Sequence, residues 1–240
     1  ATSTWLQSHL TGNLVPPTDP GAWGPRAARG ARRGFFASRF TTKFRDVLDG
    51  LANTVAMGEL PSDLGDRDKR TTVSSRHANY VVRHNPMFCV DAGELDPERP
   101  NFWCDSANPV GCTPSPSLLT DSRHGRGMNW ANWRSNVLET FTIRPPNSEA
   151  CHSNWSGNAG GNYSVGSRHQ GGAHVLMGDG AVIFITDSVE AGDQRTPNVS
   201  FRWGGNPAGT PVPGAQSHYG LWGAMGSKAS KETIEEQLNQ

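Results

Sequence analysis

Two short apolar runs meet at a three-residue corner, and that corner constrains the chain more than any other stretch. His174-Val175-Leu176-Met177 and Ala181-Val182-Ile183-Phe184-Ile185 flank Gly178-Asp179-Gly180. The second run is rich in the β-branched and aromatic residues that suit a pleated surface. Asp-Gly at the centre of a tight turn tolerates positive φ, so two strands can return on themselves with their right-handed twist intact. The pattern predicts a β-hairpin within 167–185. Gly171-Gly172 breaks the chain before it and sets Ser167-Arg168-His169 on a separate loop or strand end.

Around this hairpin the composition is that of a loop-rich protein. The 240 residues include 28 glycines and 17 prolines, with 18% charged, which fits an α+β chain of mainly antiparallel β structure better than a helical one. The length suffices for one domain over 1–240 with a full core. Lys plus Arg number 22 and Asp plus Glu number 22, so no global field draws the chain to nucleic acid or membrane. Charge is uneven locally: Arg26, Arg29, Arg32, Arg33, Arg39, Lys43 and Arg45 occur with no acidic residue between Asp19 and Asp46. We read this run as a solvated loop whose charges pair with carboxylates elsewhere. Phe35, Phe36, Phe40 and Phe44 interleave with these arginines as in single-strand nucleic-acid grooves, but ordinary burial preference assigns them to the core.

Along the chain, Asp46 is the expected N-cap of a short helix or turn, followed by a strand over 54–57 and a polar surface loop over 60–69. A strand or strand pair is expected over 73–82, with Tyr80-Val81-Val82 its apolar end. Later, Asp187 is placed to cap a short helix containing Val189 and Glu190. Phe201-Arg202-Trp203 reads as a strand, Tyr219 to Gly226 as a tightly packed irregular segment, and the spacing of Ile234 and Leu238 as a one-sided helix within 228–240.

Residue types that carry chemistry are present without the spacings that chemistry needs. Asp63, Asp66 and Asp68 alternate near a glycine, yet the twelve-residue calcium loop is not met. The 8 histidines form no His-Glu-x-x-His pair. Cys89, Cys104, Cys112 and Cys151 lack a Cys-x2-Cys knuckle, which disfavours zinc, and they permit three disulfide pairings. All four lie in a loop-rich insertion over 86–156, where Trp103, Trp130 and Trp133 mark a candidate binding surface for sugars or proteins. His169 and Asp179 with Ser164 or Ser167 would supply the residue types of a hydrolytic triad. No Gly-x-Ser-x-Gly elbow accompanies them, and a serine two residues from its base is badly placed to meet it. A structural reading serves the same residues, with Asp179 fixing the turn and His169 tying its loop to a backbone carbonyl.

The spacing His169-x9-Asp179-Gly180 resembles the C-terminal signature of a large bacterial family of prepilin-like proteins, also catalogued as a family of unknown function and loosely as solute-binding proteins. Three segments strengthen the resemblance. The run Phe44 to Glu59, Phe-Arg-Asp-Val-Leu-Asp-Gly-Leu-Ala-Asn-Thr-Val-Ala-Met-Gly-Glu, is similar to the family's "FRDITDGLSNTIMVGE" box. Gly125-Arg126-Gly127-Met128-Asn129-Trp130, with Pro145-Pro146-Asn147-Ser148 and Cys151, resembles "GRRWADG … PPNSPSC". Tyr219 to Ser227 is similar to "YGVWGALGT", so the likeness runs from about Arg33 to the C-terminus.

The resemblance implies a pilin-like globular head, exported to the periplasm or cell surface. It also implies a structural rather than enzymatic role, assembly with other protein subunits, and no cofactor. In an oxidising compartment the four cysteines would form two disulfides. Resemblance to secretion pseudopilins also raises a structural Ca2+ ion near a C-terminal loop; no cluster of oxygen ligands surrounds Asp179 in sequence, and chelator-dependent melting tests for the ion. Family members begin with a basic leader and a long hydrophobic helix. This chain shows no run of about eighteen apolar residues and no signal peptide, so 1–32 reads as an extension following an absent anchor, the only membrane contact expected. The alternative function is an extracellular binding module that captures glycan or protein through the 88–154 loops; a hydrolase is the third.

Overall fold

The computed structural model describes residues 33–36, 41–78, 81–105, 107, 112, 115–121, 125–129, 135–153, 161–198 and 214–231. Among these, seven strands and four short helices are formed: β1 Val55–Gly58, β2 Val73–Ser75, α1 Val81–His84, α2 Phe88–Asp91, β3 Ser117–Leu119, α3 Ser135–Leu138, β4 Cys151–His152, β5 Gly161–Asn162, β6 Gly172–Met177, β7 Val182–Thr186 and α4 Gly220–Met225. The strands make two sheets, ordered β1-β6-β7 and β3-β2-β4-β5. Every pairing is antiparallel except β2 with β4, which meet in parallel at Ser74 and Cys151. The α+β, mainly antiparallel expectation holds.

The expected hairpin is β6–β7, paired from Gly172↔Thr186 to Leu176↔Val182. At its corner the Met177 and Gly180 amides donate to Ala181 O at 2.8 Å and Met177 O at 3.0 Å. Asp179 Oδ1 accepts from the Ala181 amide at 3.0 Å. The positive φ falls on Gly180 at 96°, where a side chain would be strained. Asp179 therefore fixes the turn, as expected. The strand begins at Gly172, two residues before the apolar run, so only Gly171 breaks the chain.

Alternation buries one face of this sheet. Ala173, Val175, Met177 and Ile185 join Val165, Ala191, Trp222 and Met225 in one core cluster. The segment expected to be irregular, Tyr219 to Gly226, is instead largely helix α4, and it supplies Trp222 to that cluster. Its glycines let the helix lie close to its neighbours: a Cβ at Gly223 would strike Ser217 and Tyr219, and one at Gly226 would strike Thr142. A second cluster gathers Val73, Phe141, Ile143, Ala150, Tyr163 and Tyr219. A third holds Val82, Cys89, Trp103 and Cys151.

Several expectations are corrected. Val73 to Val82 is not a continuous strand: β2 ends at Ser75, Arg76 turns with φ 74°, and Val81–His84 is helical. Burial of Val82 among Cys89, Trp103 and Cys151 outweighs the β preference of valine. Asp46 is not an N-cap but closes a 3₁₀ turn over Phe44–Asp46, accepting the Lys43 amide at 2.9 Å. Phe36 and Phe44 are exposed and Phe35 only partly buried, so the basic aromatic run is not core where described. Phe40 lies outside the described residues. Asp187 caps no helix, because Val189 and Glu190 are in loop; Glu190 instead receives the Leu221 amide in the first turn of α4, at 2.6 Å. The 60–69 loop is not simply solvated, since Asp68 is buried and paired. The strand expected over 201–203 and the whole N-terminal extension 1–32 fall outside the described residues, as do 232–240; the described start of the expected C-terminal helix, 228–231, is not helical.

Of the three pairings open to the cysteines, the chain adopts Cys89–Cys151 and Cys104–Cys112; none is free. The first bridge joins α2 to β4 inside the third cluster and closes the two ends of the 86–156 stretch. Sequence separations of 62 and 8 residues give chain-entropy contributions of about 4 and about 2.5 kcal/mol. Replacing Cys89 and Cys151 together by serine should accordingly lower the denaturation midpoint more than replacing Cys104 and Cys112, and urea titration of both double variants checks the order.

Candidate functional site

Ser167, which precedes the signature histidine by two residues, is the point where distant segments meet. Its amide donates to Asn147 Oδ1 at 2.8 Å, and its hydroxyl donates to Glu59 Oε1 at 2.7 Å and accepts the His169 amide at 3.1 Å. Its carbonyl accepts Arg70 Nη1 at 2.6 Å. Ser167 is buried, and each of its polar groups has a partner, which buried polar groups need if they are not to destabilise the fold.

The partners of Ser167 are themselves fixed from several sides. Glu59 Oε2 accepts the His174 amide at 2.9 Å and faces His174 Nδ1 at 3.2 Å. Burial pushes the Glu59 carboxyl upward, but hydrogen bonds from the His174 amide, the Ser167 hydroxyl and the His174 ring outweigh it and hold the group below its ordinary range. Asn147, at φ 60°, donates to Gly172 O at 3.2 Å and Asp187 Oδ1 at 2.8 Å. Arg70 grips buried Asp68 with Nη2–Oδ2 at 2.5 Å. Arg168 reaches Asp66 at 3.1 Å and Asp68 at 3.6 Å.

The residues singled out for catalysis do not converge. His169 precedes β6 and Asp179 follows it, so a strand of 6 residues, roughly 20 Å at ~3.3 Å per residue, stands between them. Ser167 gives its hydroxyl proton to a carboxylate rather than to a histidine. The His169 side chain is exposed and sits edge-on to His174, ring centroids 6.3 Å apart; the loop is tied through Ser167, where a tie through His169 was expected. The aspartates weighed as calcium ligands face cations and hydroxyls: Asp66 and Asp68 the two arginines, Asp63 the hydroxyls of Thr71 and Thr72 at 3.3 and 3.1 Å.

The other segments behind the family likeness are joints as well. Asp49 accepts the Ser227 hydroxyl at 3.0 Å and the amides of Ser230 and Lys231 at 2.8 and 2.7 Å. Arg126 is wholly buried, donates to Ser164 O at 3.0 Å and lies over the Tyr163 ring at 5.2 Å. Burial lowers its pKa to about 10, which leaves it charged at neutral pH.

Trp103 cannot serve as a binding surface: it is fully buried and its indole donates to Thr72 O at 2.8 Å. Trp130 and Trp133 lie outside the described residues.

A second polar cluster, which the sequence did not flag, surrounds the inner disulfide. Ser74 Oγ donates to Glu94 Oε2 at 2.6 Å and lies 3.1 Å from His77 Nε2. His77 Nε2 and Glu94 Oε1 are 3.6 Å apart, close enough for an ion pair, but burial lowers the imidazole pKa and raises the carboxyl to about 7. Both shifts favour the uncharged forms and so weaken the contact as an ion pair. Nothing in the spacing of His77, one of several scattered histidines, set it apart.

A family model described as "Protein of unknown function (DUF1559)" matches residues 4–192, and the chain belongs to that family. The match takes in Glu59, Arg126, Asn147, Ser167 and His174 and stops before Tyr219. No curated protein and no solved structure matches the chain.

Two outcomes test this joint. Asn147→Ala removes three side-chain hydrogen bonds and should cost about 2–3 kcal/mol, read by urea unfolding. Because the Glu59 pKa is lower in the folded than in the unfolded chain, its stabilisation is present above the ordinary carboxylate range and lost as pH falls through the folded value. Glu59→Gln should therefore melt lower than the parent near pH 6, the gap closing as pH falls toward 3.

Proposed function

We propose that this member of the DUF1559 family is a non-enzymatic structural subunit. In this reading it is the exported globular head of a pilin- or pseudopilin-like protein, assembling with other protein subunits in a cell-surface or secretion-associated complex. The observation that carries the proposal is the outer face of the β1-β6-β7 sheet. Met57, Val182 and Phe184 are 55%, 65% and 45% exposed, and half-buried Leu176 lies between Met57 and Val182 in the register. Phe184 stands opposite His174. Isolated surface apolar residues need no explanation, but a contiguous set on one sheet, whose edge strands β1 and β7 pair on one side only among the described residues, supports a contact surface.

Covering what remains exposed of three such side chains, at about 1.5–3 kcal/mol for each one fully exposed, yields roughly 2–5 kcal/mol before the cost of association, so the contact needs further neighbours, which a repeating array of subunits supplies. The two disulfides favour an oxidising, exported setting. The reading also accounts for the Ser167 joint, which consumes its serine, glutamate and asparagine in holding segments together. The binding-module alternative loses Trp103 to the core and retains no described aromatic platform in the 88–154 loops.

Phe184→Asp and Val182→Asp should leave the melting temperature within about 1 kcal/mol equivalent of the parent, since exposed positions tolerate change, while abolishing self-association. Cross-linking of the chain in its native envelope, with mass-spectrometric mapping, checks this; cross-links that avoid β1 and β7 altogether would sink the proposal.

A further inference from the structure

The Cys89–Cys151 bridge closes inside a ring of groups suited to a different kind of closure. His77 Nε2 stands 3.4 Å from Cys89 Sγ, and this nitrogen and the two sulfurs all lie within 4.8 Å of one another. A tetrahedral metal with bonds of about 2.0 Å to nitrogen and about 2.3 Å to sulfur holds such ligands about 3.5 Å apart. His77 is thus already at ligand distance from Cys89. Its ring is set by the Phe88 ring, edge-on at 5.0 Å. Ser74, three residues before it, pairs in register with Cys151.

We propose that opening this disulfide unmasks a binding site for a thiophilic divalent cation of the zinc class, with His77 Nε2, Cys89 Sγ and Cys151 Sγ as its protein ligands. The sulfurs must part to about 3.8 Å, which side-chain rotation supplies while the Cα atoms keep their 6.1 Å separation. Two thiolates cancel the charge of the dication, so the apolar shell of Val82, Trp103, Leu95 and Leu118 surrounds a neutral centre. Glu94 and Ser74, hydrogen-bonded to each other and both beside His77 Nε2, are the groups that would bond a water completing the fourth position.

The chemistry balances. A dithiol reductant gives two electrons to the S–S bond and one proton to each sulfur, and leaves as its own disulfide. The metal then displaces both thiol protons to solvent. Oxidised and metal-bound forms are mutually exclusive ways to tie α2 to β4, so a chain still reduced has a second means of closing the same joint.

The test uses the full chain carrying Cys104→Ser and Cys112→Ser, which leaves one bridge. That bridge is reduced with a water-soluble phosphine, whose phosphorus supplies the two electrons and takes oxygen from water. Co²⁺ is then titrated in. One cobalt per chain should bind, with thiolate-to-metal charge-transfer and tetrahedral d–d bands that Zn²⁺ abolishes, and circular dichroism should report a folded chain. The unreduced protein should give no such bands. Glu94→Gln should weaken binding about tenfold with the bands retained, as loss of an outer-shell partner does; His77→Ala should weaken it further and change the band shape. Absence of tetrahedral bands, unchanged binding by His77→Ala, or a reduced chain that cobalt leaves unfolded would each overturn the proposal.

Discussion

Ser167 holds the molecule together because it lies at the crossing of segments that have no local reason to meet. Its hydroxyl reaches Glu59 across 108 residues of sequence and its carbonyl reaches Arg70 across 97. Glu59 stands just past the end of β1 and binds His174 in β6, so the same carboxylate registers two strands and anchors the loop that enters the hairpin. Each bond alone contributes about 1 kcal/mol. The combined effect is larger, because losing one partner leaves buried polar groups without another.

Two further devices work in the same manner on other parts of the chain. Asp49 gathers the Ser227–Lys231 end through one carboxylate, and Arg126 places a cation wholly inside the fold to gather carbonyls. Between them the inner disulfide joins the helical cysteine stretch to the second sheet within a packed cluster. Apolar burial supplies most of the stabilising free energy, as in any domain of this size. These polar joints decide which of the loop arrangements open to a chain with 28 glycines and 17 prolines is the one that forms.

What could be read from the residues beforehand was whatever is written locally. The Gly178-Asp179-Gly180 corner sets its own geometry, and the strand after it carries its own preference, so the hairpin and the fold class were legible. The Val81-Val82 segment carries the strand preference of valine, whereas its helix depends on burial against Trp103 and Cys89, which only the tertiary fold provides. Glycine spacing in Tyr219 to Gly226 suggested irregularity, where it marks a helix lying against Ser217, Tyr219 and Thr142. Within the candidate site, His169 and Asp179 are the residues with a recognisable spacing, while Ser167, Asn147 and Glu59 do the connecting. The grouping of His77 with Glu94 and the inner disulfide was invisible, since no spacing announces groups assembled from β2, α2 and the loop beyond.

The lock formed by Asp49 has a consequence for how the chain reaches its native state. Its acceptors are satisfied by the amides of Ser230 and Lys231, the latter 182 residues downstream, and the neighbouring β1 pairs with a strand more than a hundred residues away. Such long-range closure is slow, because loop entropy must be lost before contacts compensate for it. A chain emerging from the ribosome cannot close this lock until Lys231 is available, so the two halves of the joint wait on one another across most of the sequence between them.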